Sequence, residues 1–558
     1  MGKGEAMRQS GLKILAAAAL GIALVACSSG NNGNNTKSAA TQAAAPAGSA
    51  VSATRAAAPG SPAAGSPAAA AAQKVKTGGT LTMGLARDAT NFDSAKSQDV
   101  YSGYVEGNVL EPLFVETVDF KVAGNLVDKV DNPDDKTYVF HLHPGIKFQD
   151  GTDFNADAVK WNLQRHIDDK ASVRHTDVQN ITAMDIIDPT TLKITLDNAF
   201  APFLDKLTSG AGYMYSPTTF QKVGADKIAN DLTGAGTGPF KFTSWQHDNQ
   251  IVLDKNPTYW RKDANGIQYP YLDKIVLKPI PDENTRLTAL KTGDLDYIES
   301  PPPKDIKSLQ SSSDITYKQI PGFGFNFIMM ETEKEPFNDK RVREAFSYSI
   351  DRQQIADTIN FGTVVPADTE IPGTIPGSVQ GPYMKRDINK AKDLLKQAGK
   401  TSVSFTIQYS NASPALQQTM ELVKDEIKDA GFDMQLQPLE FATVVDNGNK
   451  GSYQAGALGW SGSVDPDGFT YTLFTTGAGF NLAHYSNKAL DDLLNKARQT
   501  LDINARVEQY KQSMNILADD EPFIIYSWTV LQQTTRKNVQ NYQLGPPRWI
   551  QLYMVWKS

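Results

Sequence analysis

Residues 142–165 read LHPGIKFQDGTDFNADAVKWNLQR, and the fold class follows from the order of the elements that they predict. The stretch overlaps the end of residues 137–142 (TYVFHL), whose alternating apolar and polar side chains predict a strand. A turn rich in Gly and Asp comes next, and residues 155–167 then predict a helix with Asn155 as its N-cap. We expect this helix to bury four apolar side chains, those of Ala158, Trp161, Leu163 and Ile167.

The same mixture of strands and helices continues along the chain. Residues 78–85 predict a turn followed by a short strand, and residues 275–280 predict another strand. Helices are predicted at 284–290, 339–350, 389–398, 415–430, 490–500 and 504–518, and Gly293, Gly399 and Gly431 end three of them. Because strand and helix do not alternate strictly, we expect α/β lobes with added segments.

Composition excludes several classes of protein. The 558 residues are 40% hydrophobic and 21% charged, which is enough chain for two or three packed domains. The formal net charge is -7 and no cluster of Lys and Arg occurs, so we predict no nucleic-acid partner. The single cysteine rules out an intramolecular disulfide and a Cys-rich metal site, and it fits an oxidising compartment.

The N-terminal segment has the pattern of an export signal. Three basic residues precede an apolar run at 14–26, which is shorter than the ~20 residues of a membrane-spanning helix. The run ends in Leu-Val-Ala-Cys27, which resembles the bacterial lipobox, where the Cys sulfur receives a diacylglyceryl group before cleavage. We therefore predict a lipoprotein signal peptide at 1–26 and lipidation of Cys27. The alternative is an ordinary secretory signal with an incidental Cys.

Residues 27–76 connect Cys27 to the body of the protein. They are rich in Ala, Pro, Gly and Ser and show no apolar periodicity. Such a segment cannot bury a core, so we predict a disordered tether that lets a folded body stand away from a lipid surface.

No arrangement of residues predicts catalysis. His141 and His143 would share one face of a strand and could suit a metal, but we expect them only to flank a turn. Residues 234–238 (GAGTG) lack the Lys of a phosphate-binding loop, and residues 465–468 (DPDG) lack the distal Glu of a Ca²⁺ loop. We therefore predict turns at both places, with no catalytic residue, no metal site and no cofactor.

Six segments together resemble the bacterial extracellular solute-binding proteins of family 5, the peptide, nickel and oligosaccharide receptors of ABC importers. The first is residues 142–165, in which Ala158 replaces an Asp that is usual in the family. The others follow in the family's order, at 236–296 (with GTGPFKFTSW and NPTYW), 335–355 (EPFNDKRVREAFSYSIDRQQI), 388–399 (INKAKDLLKQAG), 459–469 (GWSGSVDPDGF) and 521–528 (EPFIIYSW).

This resemblance implies an α/β fold of the type II periplasmic-binding-protein kind, a two-lobed clamshell with an inserted third subdomain. Lobe one would hold residues 77–322 and 526–558, with the insert at about 113–235, and lobe two would hold residues 326–525. The chain would cross the hinge near 322–327 and return near 524–528. Ligand would bind in the cleft and favour the closed form, because it contacts both lobes.

The resemblance also implies ligand-binding residues in lobe two. Trp460 lies in a segment that lines the family's cleft, although core packing is an equal alternative for an indole there. In peptide-binding members, a W-x-x-D motif places an Asp against the peptide's ammonium, and Ser463 stands at that position here. A hydroxyl cannot replace that charge-assisted bond, although Asp465 or Asp467 could substitute. Capped or modified peptides, oligosaccharides and other solutes are therefore favoured over free-amine peptides.

Three further residues are candidates for ligand contact. Tyr101 lies in a region of lobe one that belongs to the family's cleft, and Phe325 and Asn326 lie at the hinge. An apolar hinge strand usually packs in the core, which is the alternative for Phe325. A nickel ligand occurs in the family, but no converging group of His supports it here.

The resemblance implies a receptor, not an enzyme. We expect a monomer that captures a peptide or another small oligomeric solute and delivers it to an ABC permease with its ATPase subunits. The lipid on Cys27 would hold it on the outer face of the cytoplasmic membrane, at the cell surface or in a periplasm. Two alternatives are a tethered secreted hydrolase and an orphan sensor or adhesion lipoprotein on the same fold.

Overall fold

The computed structural model describes residues 75–117, 120–545 and 551–558. The predicted signal peptide, Cys27 and nearly all of the predicted tether lie outside these residues. Strands and helices are both abundant in the described residues, so the α/β expectation is confirmed.

The strands are numbered in chain order. They are β1 (Thr80–Leu85), β2 (Phe114–Glu116), β3 (Val122–Gly124), β4 (Val127–Asp134), β5 (Thr137–Leu142), β6 (Ile181–Asp188), β7 (Thr191–Leu196), β8 (Phe240–Gln246), β9 (Gln250–Lys255), β10 (Lys274–Pro279), β11 (Tyr297–Ile298), β12 (Ile315–Met330), β13 (Val365–Pro366), β14 (Val403–Ser410), β15 (Phe432–Leu439), β16 (Ala455–Trp460), β17 (Phe523–Arg536), β18 (Val539–Gln540) and β19 (Trp556–Lys557).

The helices are numbered in the same way. They are α1 (Val100–Val109), α2 (Ala156–Asp168), α3 (His175–Val178), α4 (Phe203–Lys206), α5 (Pro217–Val223), α6 (Ala225–Ile228), α7 (Glu283–Thr292), α8 (Ile306–Gln310), α9 (Lys340–Tyr348), α10 (Arg352–Gln354), α11 (Ile388–Gln397), α12 (Pro414–Ile427), α13 (Phe441–Asn449), α14 (Tyr471–Phe474), α15 (Lys488–Gln499) and α16 (Ile503–Asp520).

One large sheet runs through the molecule. Its strand order is β15-β14-β16-β12-β17-β11-β1-β10-β9-β8, and β13 pairs with β17 beside this path. The sheet contains both parallel and antiparallel pairs. β1 is parallel to β10 and β11, β14 is parallel to β15 and β16, and β12 is antiparallel to β16 and β17. A separate antiparallel sheet has the order β4-β5-β7-β6.

The two long strands β12 and β17 connect the two ends of the large sheet. Residues 315–321 of β12 pair with 530–536 of β17, and residues 325–329 pair with 523–528, with a register shift between Pro321 and Phe325. We call residues 75–320 with 531–558 lobe one, and residues 325–528 lobe two. A Cβ on Gly324 would collide with the carbonyl oxygen of Trp460, so only glycine fits this position.

Separate apolar cores support the parts of the fold. In lobe one, one core packs β1, β9 and β10 against α1, and another fills the four-stranded sheet beneath α2. Lobe two has two more cores, one that includes α9, α11 and α12 and one that includes α14, α15 and α16. Several side chains of the C-terminal segment, including Leu552 and Val555, join the first core of lobe one.

The predicted helix at 155–167 is confirmed as α2. The side chain of Asn155 accepts a hydrogen bond from the backbone N–H of Ala158, as an N-cap does. The expectation for two apolar side chains was wrong, because Trp161 and Ile167 are only partly buried. Trp161 lies against the edge of Phe220, with ring centroids 5.3 Å apart, at the rim of a core.

The other predicted helices are confirmed with shifts of a few residues at their ends. Gly293 and Gly431 adopt left-handed backbone angles with φ of 95° and 105°. These angles explain why helical structure stops there, since glycine takes a positive φ at little cost.

We expect Asn155→Ala to lower the free energy of unfolding by about 1 kcal/mol, because the first turn of α2 loses its cap. Urea denaturation followed by circular dichroism measures the change. Asn504→Ala is a matched control, since Asn504 is exposed in α16 and that helix is capped by Asp502. Equal effects of the two variants would contradict the capping role of Asn155.

Candidate ligand-binding site

A cavity of about 310 Å³ lies where the two lobes face each other. Lobe one contributes Arg87 and Tyr101, and lobe two contributes Asn326, Phe441 and the first turn of α12. The cavity is therefore closed on opposite sides by different lobes. Its volume is at the lower end of the range for small-molecule sites, which is about 300–1,000 Å³.

Arg87 is the cation of this cavity that has no acidic partner. Its guanidinium carbon lies 3.7 Å from the ring centroid of Phe441 in the opposite lobe and 5.2 Å from the ring of Tyr101. Among the described residues, no carboxylate forms a salt bridge with it. By contrast, the nearby guanidinium of Arg286 donates to four backbone carbonyls and is fully engaged in holding its own lobe together. Arg87 is thus placed to receive a negative group.

Tyr101 lies beside Arg87 on the wall from lobe one. Its side chain is buried, and burial together with the negative charge of Glu299 raises the pKa of the phenol well above its usual value. The hydroxyl therefore stays protonated at neutral pH and can donate a hydrogen bond.

Two further cavities lie between the lobes. One, of about 90 Å³, is lined by Glu106 and Arg174 from lobe one and by Trp460 and Phe480 from lobe two. The other, of about 550 Å³, is lined by residues 170–179 of lobe one and residues 471–479 of lobe two, and Gln98 borders both cavities. The space between the lobes thus consists of several neighbouring compartments.

A buried group of charges holds the lobes together beside these cavities. The ammonium of Lys206, in lobe one, lies 2.7 Å from the carboxylate of Asp467, in lobe two, and both side chains are almost fully buried. Arg498 donates two hydrogen bonds to the same carboxylate, at 2.7 and 2.8 Å, and one to the carbonyl oxygen of Thr176 in lobe one. Burial alone would raise the pKa of Asp467, but Arg498 and Lys206 outweigh it and hold that pKa well below its usual value.

Hydrogen bonds from uncharged donors to carboxylates supplement this ion cluster. The hydroxyl of Ser463 donates to the carboxylate of Asp205 at 3.0 Å, and the backbone N–H of Val464 donates to Glu116 at 3.2 Å. Each bond joins lobe two to lobe one. The structure therefore shows the closed arrangement of the lobes.

The structure places the residues predicted from sequence in different surroundings. Tyr101 and Asn326 line the 310 Å³ cavity, and Trp460 lines the 90 Å³ cavity. The indole N–H of Trp460 already donates to the carbonyl oxygen of Gly468 at 3.0 Å. Phe325 is fully buried and packs on Phe327, with ring centroids 5.4 Å apart. Contact with ligand stays a prediction for all of them.

The side chains predicted to bind ligand around position 463 are already bonded to other groups of the protein. Ser463 and Asp467 are fully buried in the contacts between the lobes. Asp465 accepts two hydrogen bonds from Arg506, at 2.7 and 2.6 Å. Both Asp465 and Asp467 are therefore neutralised by arginine or lysine side chains in this closed arrangement, and ligand contact stays a prediction for each of these three residues as well.

Sequence reasoning missed four residues of the cleft: Arg87, Glu106, Lys206 and Phe441. A single charged or aromatic residue carries no periodic signal, and each acquires its position only through the packing of distant segments. A charged residue among apolar neighbours was the one available signal, and it applies to Glu106 in YVEGNVL.

The predicted turns and histidines can also be located. Asp465 caps a short 3₁₀ turn at Pro466–Gly468, which confirms the turn predicted there. His141 lies 2.9 Å from Asp131, and the His143 ring lies against Trp260. Across the described part of the chain, no three His, Cys, Asp or Glu residues are arranged to hold a metal ion. In the same residues, no helix combines the length and apolar character that crossing a bilayer needs.

A family model for the bacterial extracellular solute-binding proteins, family 5 Middle, matches residues 121–481. The chain belongs to this family. The resemblance read from the sequence is therefore confirmed, and the protein is an extracellular substrate-binding receptor of the kind that serves ABC importers.

Relatives support the family 5 assignment across most of the chain. The glutathione-binding protein GsiB of Shigella flexneri is 30% identical over 470 residues, which cover 82% of this chain and 90% of that protein. The same protein of Escherichia coli strain K12 is also 30% identical over 470 residues, with the same coverage.

Solved structures confirm the type II periplasmic-binding-protein fold. DppA from Helicobacter pylori, in complex with the peptide STSA, has a TM-score of 0.79 and 25% identity and covers 86% of this chain and 98% of its own. AppA from Bacillus subtilis, in complex with a nonapeptide, has a TM-score of 0.80 and 23% identity, with 87% and 100% coverage. At 23% identity, the similarity to AppA supports the fold only.

We expect Lys206→Met to destabilise the closed form by about 1–3 kcal/mol, because Asp467 keeps Arg498 but loses its partner from lobe one. Small-angle X-ray scattering should show a larger radius of gyration, and calorimetry a lower Tm. Lys340→Met is the control, since the ion pair of Lys340 with Asp519 is solvent-exposed and contributes at most about 1 kcal/mol. An unchanged radius of gyration for Lys206→Met would show that the ion pair does not control closure.

Proposed function

We propose that this protein captures a short peptide or a peptide-like solute between its lobes and delivers it to an ABC permease without chemical change. The observation that carries this proposal is the 310 Å³ cavity, whose walls come from both lobes and which contains Arg87, a cation that forms no salt bridge with any described residue. A ligand in such a cavity contacts both lobes at once, so it favours the closed form.

The lining of the cavity indicates a small polar ligand with a negative end. Arg87 offers a charge-assisted hydrogen bond to a carboxylate, and Tyr101 and Asn326 offer neutral polar groups beside it. Phe441 and Leu458 supply apolar surface from lobe two. A short peptide has a terminal carboxylate, amide groups and apolar side chains, and it therefore matches this lining.

The relatives support the same class of ligand. GsiB is named for glutathione, a tripeptide, and the DppA structure contains a bound peptide. Glutathione is accordingly the first compound to test, and short peptides of ordinary linkage come next.

The mechanism that we propose is rotation of the lobes about the irregular part of the β12–β17 pairing. The ladder between these strands shifts register between Pro321 and Phe325 and again between Asn326 and Phe327, and it is regular beyond these places. On closure, Lys206 meets Asp467 and Ser463 meets Asp205, so these contacts add to those of the ligand. The closed shape would then be recognised by the permease, with the receptor acting as a monomer.

The lipid anchor on Cys27 is a further part of the proposal. Its support is the apolar run that ends in Leu-Val-Ala-Cys27 and the Ala/Pro/Gly/Ser-rich segment that follows. A tether of ~50 residues would keep a captured solute near the importer by raising the local concentration of the receptor.

We expect a peptide ligand at 100 times its Kd to stabilise the protein by about 2.7 kcal/mol, and so to raise its Tm by several degrees. Differential scanning fluorimetry over a panel of di- to pentapeptides, glutathione and oligosaccharides measures this. Mass spectrometry of the incubated compounds should show them unchanged. Stabilisation by oligosaccharides alone would contradict the peptide proposal, and the appearance of a hydrolysis product would contradict binding without turnover.

We expect Arg87→Met to weaken the binding of peptides with a free C-terminal carboxylate by about 10- to 100-fold, as for the loss of a hydrogen bond to a charged group. Binding of the C-terminal amides should change little. Isothermal titration calorimetry measures both. Arg341→Met is the control, because Arg341 lies far along the chain in α9 and is paired with Asp339. An equal loss for acids and amides would rule out a carboxylate at Arg87.

We expect Cys27→Ser to release the protein from the membrane fraction into the medium or periplasm, because the serine oxygen is not lipidated. Ligand affinity of the released protein should be unchanged, since Cys27 lies outside the described folded residues. Cell fractionation followed by immunoblotting measures the distribution. A Ser variant that stays in the membrane fraction would refute the anchor.

A further inference from the structure

The irregular stretch of the β12–β17 ladder contains a backbone carbonyl that is bonded from outside the ladder. Regular pairing stops at Pro321 and resumes at Phe325, so the described residues 322–324 have no partner in this register. Gly322 is buried, and its carbonyl oxygen accepts a hydrogen bond of 3.0 Å from the hydroxyl of Thr374. A buried carbonyl is costly unless it is bonded, and Thr374 supplies a bond that the ladder does not.

Thr374 belongs to a segment of lobe two that we call the strap, residues 365–376. The strap begins with β13, which pairs with β17. Ile371 and Ile375, on either side of Thr374, are buried in the core of lobe two that includes α14, α15 and α16. The freedom of the backbone is further restricted by three prolines, Pro366, Pro372 and Pro376. The strap therefore holds the hydroxyl of Thr374 in a fixed position relative to lobe two.

Hydrogen bonds also fix the strap to the rest of lobe two. The guanidinium of Arg352, which is fully buried, donates to the carbonyl oxygen of Ala367 at 3.1 Å. The indole N–H of Trp528, on β17, donates to the carbonyl oxygen of Thr369 at 2.9 Å. Both donors belong to lobe two. The hydroxyl of Thr374, by contrast, bonds to the connection between the lobes.

The other partner of this bond is joined directly to lobe one. Gly322 follows Pro321, the last residue of β12 in the part of the ladder that leads into lobe one. Rotation of lobe one would therefore move the carbonyl of Gly322 relative to the strap. Because two such atoms no longer form a hydrogen bond once they are about 3.6 Å apart, a small displacement is enough to break the bond to Thr374.

We propose that Thr374 is a positioning residue for closure, whose hydroxyl bonds to Gly322 when the lobes are closed and releases it when they separate. This inference rests on the proposed rotation of the lobes about the irregular part of the ladder and names a residue that controls it. Among the described residues that line the 310 Å³ cavity, Thr374 does not occur. It therefore acts on the equilibrium between the open and closed forms and not on the ligand itself.

The bond favours the closed form only moderately. The side chain of Thr374 is exposed, so water can replace Gly322 as its partner when the lobes separate. A hydrogen bond between neutral groups then changes the ratio of the two forms by about 2- to 10-fold. An effect of this size suits a receptor that has to open again in order to release its ligand.

The test measures the distance between the lobes without ligand. Spin labels are attached through Lys222→Cys in α5 of lobe one and Lys496→Cys in α15 of lobe two, which are exposed positions, in a chain whose own cysteine is removed by Cys27→Ser. Thr374→Val removes the hydroxyl but keeps the shape of the side chain. We expect double electron–electron resonance to show a rise of about 2- to 10-fold in the ratio of open to closed molecules.

Two further variants isolate the role of the hydroxyl. Thr374→Ser keeps the donor, so its distance distribution should match that of the unaltered protein. Thr288→Val is the matched control, because Thr288 is also exposed but donates to the carbonyl oxygen of Asn284 within α7 of lobe one. No shift for Thr374→Val, or an equal shift for Thr374→Ser or Thr288→Val, would overturn the inference.

Titrations distinguish the failure of this inference from the failure of the proposed function. Because Thr374 acts on closure, Thr374→Val should weaken the binding of glutathione, peptide acids and peptide amides by the same factor in calorimetry. Arg87→Met should instead separate acids from amides. A loss in Thr374→Val that is confined to one class of ligand would contradict its role in closure. If no peptide binds the unaltered protein, peptide capture fails, and the label distances without ligand still decide the role of Thr374.

Discussion

The pairing of β12 with β17 is the constraint on which the rest of the structure depends, because these two strands belong to both lobes. Their backbone hydrogen bonds fix each lobe to its own end of the ladder, and the register shifts at two neighbouring places, between Pro321 and Phe325 and between Asn326 and Phe327. Gly324 at this break lies so close to the backbone of Trp460 that no side chain fits. In the mechanism that we propose, movement is confined to this short region, and the lobes turn on either side of it.

Charge pairing separates the cleft groups that are already bonded within the protein from those that remain for a ligand. A buried charge is costly unless it is paired, and most charges between the lobes are paired: Asp467 with Lys206 and Arg498, and Asp465 with Arg506. Arg87, which has no salt bridge among the described residues, lies against Phe441 in one compartment. In another, Oε1 of Glu106 is left without a hydrogen-bond partner in the described part of the chain. In our proposal, Arg87 is the group that remains for the negative end of the ligand.

Local features of this fold could be predicted from the sequence, whereas the cleft could be predicted only in part. The cap at Asn155 and the stops at Gly293 and Gly431 act over a single helical turn, so their residues carry the information themselves. Trp161 fits the apolar face of α2 by periodicity, yet it lies at the rim of a core, which periodicity does not describe. Tyr101, Asn326 and Trp460 were found because they lie in segments that resemble the family. Arg87 and Glu106 were missed because their position depends on how α1, β1 and lobe two pack together.

The ion pair between Lys206 and Asp467 contributes less free energy to closure than its short distance suggests. Separating the lobes exposes both groups to water, where their hydration offsets most of the attraction that they lose. Asp467 keeps Arg498 in either state, because both residues belong to lobe two. The pair therefore specifies the geometry of the closed form while adding little net free energy to it. In our proposal, a ligand that contacts Arg87 supplies the further free energy for full closure, which would let an importer distinguish loaded from empty receptors.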